Sequence, residues 1–139
     1  MSDCKICSKQ HELDPLFVME KGCFAVYHAP AEKGLIGYLY VEPKRHVESW
    51  SELNVDEKEQ LTGLIAELER KLYEQIRAER VYTLSVGESV RHLHIHLIPR
   101  VAGALTDGLE LIRLTAGPLG TGLKVNEGEI ESFIAEFRR

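Results

Sequence analysis

The sequence predicts an α+β domain: short strands paired antiparallel, with one long helix packed on the sheet. Three observations carry this. Residues 92 to 100 read HLHIHLIPR, with histidine and apolar residues in strict alternation. A period of two marks a β-strand, because successive side chains point to opposite faces. Leu93, Ile95 and Leu97 would enter the core, and His92, His94 and His96 would share the other face about 6–7 Å apart. The second observation is a pair of apolar runs, LFVME at 16 to 20 and CFAVYH at 23 to 28, split by Lys21-Gly22. Two residues with glycine second predict a hairpin turn. The third is the stripe Leu61, Leu64, Ile65, Leu68, Leu72 and Ile76, spaced by threes and fours as one face of a helix.

Size and charge narrow the class. A chain of 139 residues suits a single domain that buries its own core. A net charge of −5 gives no field-driven affinity for nucleic acid polymers or anionic membranes. A small phosphorylated ligand needs only a local cluster of donors. No apolar run approaches a membrane span, and the start, MSDCKICSKQ, has no apolar signal core. With three cysteines, an odd number, the expected setting is the reducing cytoplasm.

Taken in order, the chain opens with a C-x-x-C, Cys4 and Cys7, whose flanks do not suit a redox pair. Two thiolates at this spacing read as a zinc hook that needs two more ligands. Cys23 reads as a small buried hydrophobe. His28 leads into the loop APAEKG, where it can face a ligand or lie on the surface. LIGYLYVE at 35 to 42 is the third strand, with Gly37 marking a bulge or a close backbone approach. Pro43 ends it, and His46 follows where loops commonly carry function. Trp50 is expected to pack. Asn54 and Glu57 form a capping box ahead of the long helix. VYTLSV at 81 to 86 is the fourth strand, and Gly87-Glu88-Ser89 turn into the histidine strand as an antiparallel neighbour. A serine there can present its hydroxyl to that strand's polar face or serve only the turn. Residues 101 to 125 carry scattered glycines and one apolar run, LELIRL, with no assigned element. Asn126 and Glu129 cap a short amphipathic helix marked by Ile130, Phe133, Ile134 and Phe137. There is no internal repeat and no Gly-rich phosphate loop.

Two chemistries suit the histidines. His92, His94 and His96 could bind one catalytic zinc with an open coordination position. Alternatively, one imidazole is a nucleophile towards phosphorus, and its neighbours hold its tautomer and bond the phosphate oxygens. In that case Cys4, Cys7, His46 and His92 could close a Cys₂His₂ structural zinc site, leaving His94 and His96 for chemistry. Spacing alone leaves both open.

HLHIHLIPR resembles the signature of the histidine triad (HIT) family, in which His, apolar, His, apolar, His is followed by two apolar residues. Ser89-Val90 and PKRH at 43 to 46 are also similar to it, and the likeness spans roughly residues 4 to 100. It implies one HIT-like domain over 1–139, with its core at about 4–100 and a C-terminal extension over 101–139. The fold implied is a compact α+β one, with an antiparallel sheet of about five strands under the long helix and usually a homodimer. It also implies hydrolysis or transfer of a nucleotidyl group at an α-phosphate of a small nucleotide or nucleotide conjugate. By position His94 is the nucleophile, His96 flanks it and contacts the nucleotide, and Ser89 stands near the leaving group. In the zinc-bearing branch the ligands fall on Cys4, Cys7, His46 and His92. A non-catalytic nucleotide-binding module is the alternative. The sequence departs from the family at three places. The loop HAPAEKG lacks the Asp that holds ribose, Gly37-Tyr38 stands where Gly-His is usual, and the stretch before the triad is shortened to SVGES. An altered sugar and base pocket, or a substrate not based on adenosine, is therefore expected.

Overall fold

The structure is a computed structural model and describes residues 3–104, 106–118 and 122–139. A short helix α1 (Lys5–Lys9) precedes the hairpin of β1 (Phe17–Lys21) and β2 (Phe24–His28). β3 (Leu39–Pro43) leads to the long helix α2 (Val55–Gln75), then β4 (Arg80–Leu84) and β5 (Ile95–Arg100). Two helices close the chain, α3 (Gly108–Ala116) and α4 (Glu127–Phe137). The strands form one antiparallel sheet in the order β1-β2-β3-β5-β4.

The hairpin turn is one residue later than expected. Lys21 pairs with Phe24, so the two turn residues are Gly22 and Cys23. Gly22 takes φ +58, which a primed hairpin turn needs at its first central position and glycine adopts freely. Cys23 thereby leaves the strand, and its N–H donates to Gln60 Oε1 of α2 at 2.8 Å. Gly37 is not in a strand. It turns ahead of β3 at φ +89, and a Cβ there would meet Ile76 Cδ1 at 2.7 Å. The close-approach reading therefore holds and the bulge does not.

Asn54 caps α2 as expected: Glu57 N–H donates to its side chain at 2.8 Å, and Glu57 Oε1 accepts from Asn54 N–H at 2.9 Å. Leu61, Leu64, Leu68 and Leu72 are at most 3% exposed and pack on Val26, Leu39, Val41 and Leu97. Each such burial stabilises by about 2 kcal/mol. α4 joins the same core through Ile130, Phe133, Ile134 and Phe137, capped by Asn126. α3, built from the run LELIRL that carried no assignment, covers part of the opposite sheet face. There Leu111 packs with Ala29, Tyr38 and Ile98. Trp50 does not pack as expected; it is 47% exposed in a 3-10 turn. At the outer edge of the sheet, β1 pairs irregularly between Phe17 and Met19. Arg138 at the end of α4 donates to the Phe17 and Val18 carbonyls at 2.8 and 2.7 Å.

The histidine run is only partly strand. β5 begins at Ile95, so His96 alone of the three lies in it. The β3–β5 ladder reaches Val41↔Ile95 and then meets Pro43, which has no N–H to give. The chain before Ile95 is held instead by the Leu93 N–H, which donates to the Val47 carbonyl at 2.7 Å. Leu93, Ile95 and Leu97 all enter the core as the alternation requires.

Candidate functional site

Two clusters grow from this segment. In the first, the ligand atoms of Cys4, Cys7, His46 and His92 lie within 4.8 Å of one another. Cys4 is the N-cap of α1 and accepts from the Cys7 N–H, so one turn of helix presents both thiols. His46 follows β3, and His92 precedes β5. The Cys4 and Cys7 sulfurs each lie 3.5 Å from His92 Nδ1, and Cys7 Sγ lies 3.4 Å from His46 Nδ1. A tetrahedral zinc with its usual bonds to sulfur and imidazole separates such ligands by about 3.5 Å, so the set fits the ion. The Pro43 carbonyl accepts from His92 Nε2 at 2.7 Å, which leaves Nδ1 bare towards the thiols. Burial, then the neighbouring Cys4 thiol, push the Cys7 thiol above its usual range; a cation among them reverses that cost.

The second cluster lies on the sheet face. His94 is half-buried, and its Nδ1 lies 2.8 Å from the His92 carbonyl. A carbonyl only accepts, so in the neutral ring the proton sits on Nδ1 and Nε2 is bare. His96 is 6% exposed, its ring centroid 5.0 Å from that of His94. Burial, with the His94 and Lys33 charges second, pushes His96 down to about 4, so it is neutral. Its Nδ1 lies 2.7 Å from the Tyr38 hydroxyl, and its Nε2 has no hydrogen-bond partner among the described residues. Tyr40 packs edge-on to both imidazoles.

Glu42 extends the same face and is 1% exposed. Lys9 of α1 reaches it at 2.7 Å while lying over the Tyr27 ring. Burial raises the Glu42 carboxyl, against the opposing pull of Lys9. Sequence reasoning gave Tyr40, Glu42 and Lys9 no part in the site. The signal was there in YLYVE, where Tyr38, Tyr40 and Glu42 alternate onto the face that His96 shares.

The remaining site candidates fall elsewhere. His28 is the last residue of β2 rather than a loop residue, and it is buried. Its Nδ1 donates to the Ala29 carbonyl at 2.6 Å, and the Gly37 N–H donates to its Nε2 at 2.8 Å. Both ring nitrogens thus brace the turn into β3. Ser89 is exposed and lines a cavity of about 390 Å³ with Cys4, His46 and Arg91. No described hydrogen bond joins it to His94 or His96. Among the described residues, His92 groups with the cysteines and His46, and not with His94 and His96 as a common ligand set.

A five-stranded antiparallel sheet with a long helix on one face and neighbouring imidazoles on the other defines a small α+β class. A family profile described as "HIT domain" matches residues 12–103, and the chain belongs to this family. Solved structures share the fold. A histidine triad protein of Bradyrhizobium japonicum superposes with TM-score 0.73 at 21% identity, covering 95% of this chain and 92% of that one. A hypothetical histidine triad nucleotide-binding protein of Sulfolobus tokodaii gives 0.64 at 22%, covering 98% and 95%. A Zn-bound histidine triad family protein of Mycobacterium smegmatis gives 0.63 at 14%, covering 97% and 95%. No curated protein matches the sequence. The profile begins beyond Cys4 and Cys7, so half of the four-residue cluster lies outside its match. No helix among the described residues is long and apolar enough to cross a membrane.

Proposed function

We propose that the protein hydrolyses or transfers a nucleotidyl group at an α-phosphate, with His94 as the nucleophile. The observation that carries this is the His94 ring itself. Its proton is held on Nδ1 by the His92 carbonyl, and its bare Nε2 stands beside a neutral His96. Family membership and the nucleotide-binding relative of Sulfolobus tokodaii support the substrate class.

In this reading His94 Nε2 attacks the α-phosphorus, the bond to the leaving group breaks, and a nucleotidyl-histidine forms. Water or another acceptor then attacks the same phosphorus and the N–P bond breaks. His96 serves a phosphate oxygen through Nε2 and helps to hold the nucleotide. Ser89 serves the leaving group from its exposed loop. His28 supports the nucleotide's wall through Gly37 and Ala29 rather than by direct contact. Cys4, Cys7, His46 and His92 would hold a zinc, which would supply structure rather than chemistry. Its ligand His92 is also the residue whose carbonyl aims His94, so the ligands tie α1 to the nucleophile. A homodimer in a reducing cytoplasm completes the reading.

The test is mass spectrometry after quenching with a panel of AMP-derived nucleotides and conjugates. A nucleotidyl adduct on His94 is expected. His94→Ala should abolish turnover while leaving helical content and zinc unchanged; turnover by the folded variant would sink the assignment.

A further inference from the structure

Tyr38 is fully buried where the family usually has histidine, and its hydroxyl meets His96 Nδ1 at 2.7 Å. Both rings are fixed from several sides. Tyr40 packs edge-on against Tyr38 at 5.2 Å and against His96 at 5.2 Å. Leu111 of α3 and Ile98 of β5 close over Tyr38. A hydrogen bond between a phenol and a neutral imidazole has two forms. Either the phenol donates to a bare Nδ1, which puts the ring proton on Nε2, or Nδ1–H donates to the phenol oxygen, which leaves Nε2 bare. The phenol is the stronger acid and the imidazole nitrogen the stronger base, so the first form is favoured. Nε2, buried and without a partner among the described residues, then carries a hydrogen with nothing yet to receive it.

We propose that Tyr38 is a positioning residue: its hydroxyl donates to His96 Nδ1 and so holds the His96 proton on Nε2, directed at an oxygen of the phosphoryl group. The last clause rests on the function proposed above; the tautomer does not. Adjacent imidazoles are thereby locked in opposite forms. A backbone carbonyl keeps His94 Nε2 bare, as an attacking lone pair. A phenol keeps His96 Nε2 protonated, as a donor to the charge that develops on the phosphoryl oxygens.

Side-chain ¹H–¹⁵N correlation spectra test this on the whole protein, with the His96 signals assigned by their loss in His96→Gln. The wild type should show His96 protonated on Nε2 alone. Tyr38→Phe keeps the ring and removes the proton donor. It should release His96 into a mixture of tautomers and lower kcat by ~10–100-fold, the cost of misaligning one transition-state donor. KM should change far less, because the contact strengthens in the transition state. Tyr38→His restores a ring donor and should recover the single tautomer and most of kcat. A wild-type His96 protonated on Nδ1, or a Tyr38→Phe variant with unchanged tautomer and kcat, would overturn the assignment. If the wild type turns over no nucleotide, the proposed reaction fails, and the spectra still decide between the two tautomers.

Discussion

His94 and His96 are two positions apart yet meet different surroundings. His94 remains half-buried beside the His92 carbonyl, while His96 is enclosed between tyrosines. The enclosure ties stability to pH. The folded ring takes a proton only near 4, against an ordinary value of 6.5. Between those values the unfolded chain binds the proton and the folded chain does not. Stability is therefore whole above about 6.5 and falls as pH drops towards 4, by up to about 1.4 kcal/mol per unit. Urea denaturation at stepped pH should show a shallower fall for His96→Asn than for the wild type; parallel curves would count against it. The histidines and the C-x-x-C stood out as site candidates by residue type, since such clusters have few cheap explanations, and the resemblance rather than spacing divided the expected roles among them. Tyr38 and Glu42 did not: their alternation in YLYVE groups them on one face, but nothing local ties that face to the histidines. A phenol in a strand reads as core, and a glutamate at its polar positions reads as solvated. Only the register that sets Tyr40 opposite His96 shows which face they join.

Elements were legible where local chemistry dictates them. The α2 stripe with its capping box, the strand alternation and the α4 cap all follow from spacing and cap residues. The misses have local causes too. Proline stopped the ladder that would have carried His92 and His94 into β5. Glycine's left-handed φ moved the hairpin turn by one residue. α3 is short and set among glycines, so its apolar run could equally have been a strand. α1 is shorter still, at five residues, and it has one buried residue, Ile6. So short a helix is marginal without an external tie. Cys4→Ser should therefore release zinc, read by elemental analysis, and lower the melting temperature by several degrees. Activity should fall less than in His94→Ala. Metal content unchanged in the variant would show that the ion, if bound, sits elsewhere.

At the scale of the molecule, the segment after Arg100 packs on both sides of the sheet, with α3 over Tyr38 and Ile98 and α4 over the α2 core. The family profile stops at residue 103, so this arrangement could not be carried over from the resemblance and had to be read from the structure. The last turn also guards an edge. Arg138 occupies the Phe17 and Val18 carbonyls, acceptors that an incoming strand would otherwise use. Arg138→Ala should raise the average mass seen by light scattering as concentration increases; an unchanged mass across the same range would show that the arginine has no such role.

That blocked margin bears on how many copies can join. The sheet has two outer strands, and the Arg138 clamp and the local irregularity both lie on β1. If two copies paired through β4 about a two-fold axis, both ends of the joint sheet would be β1. Addition would then stop at two, because each terminus of the array would already be plugged by its own chain.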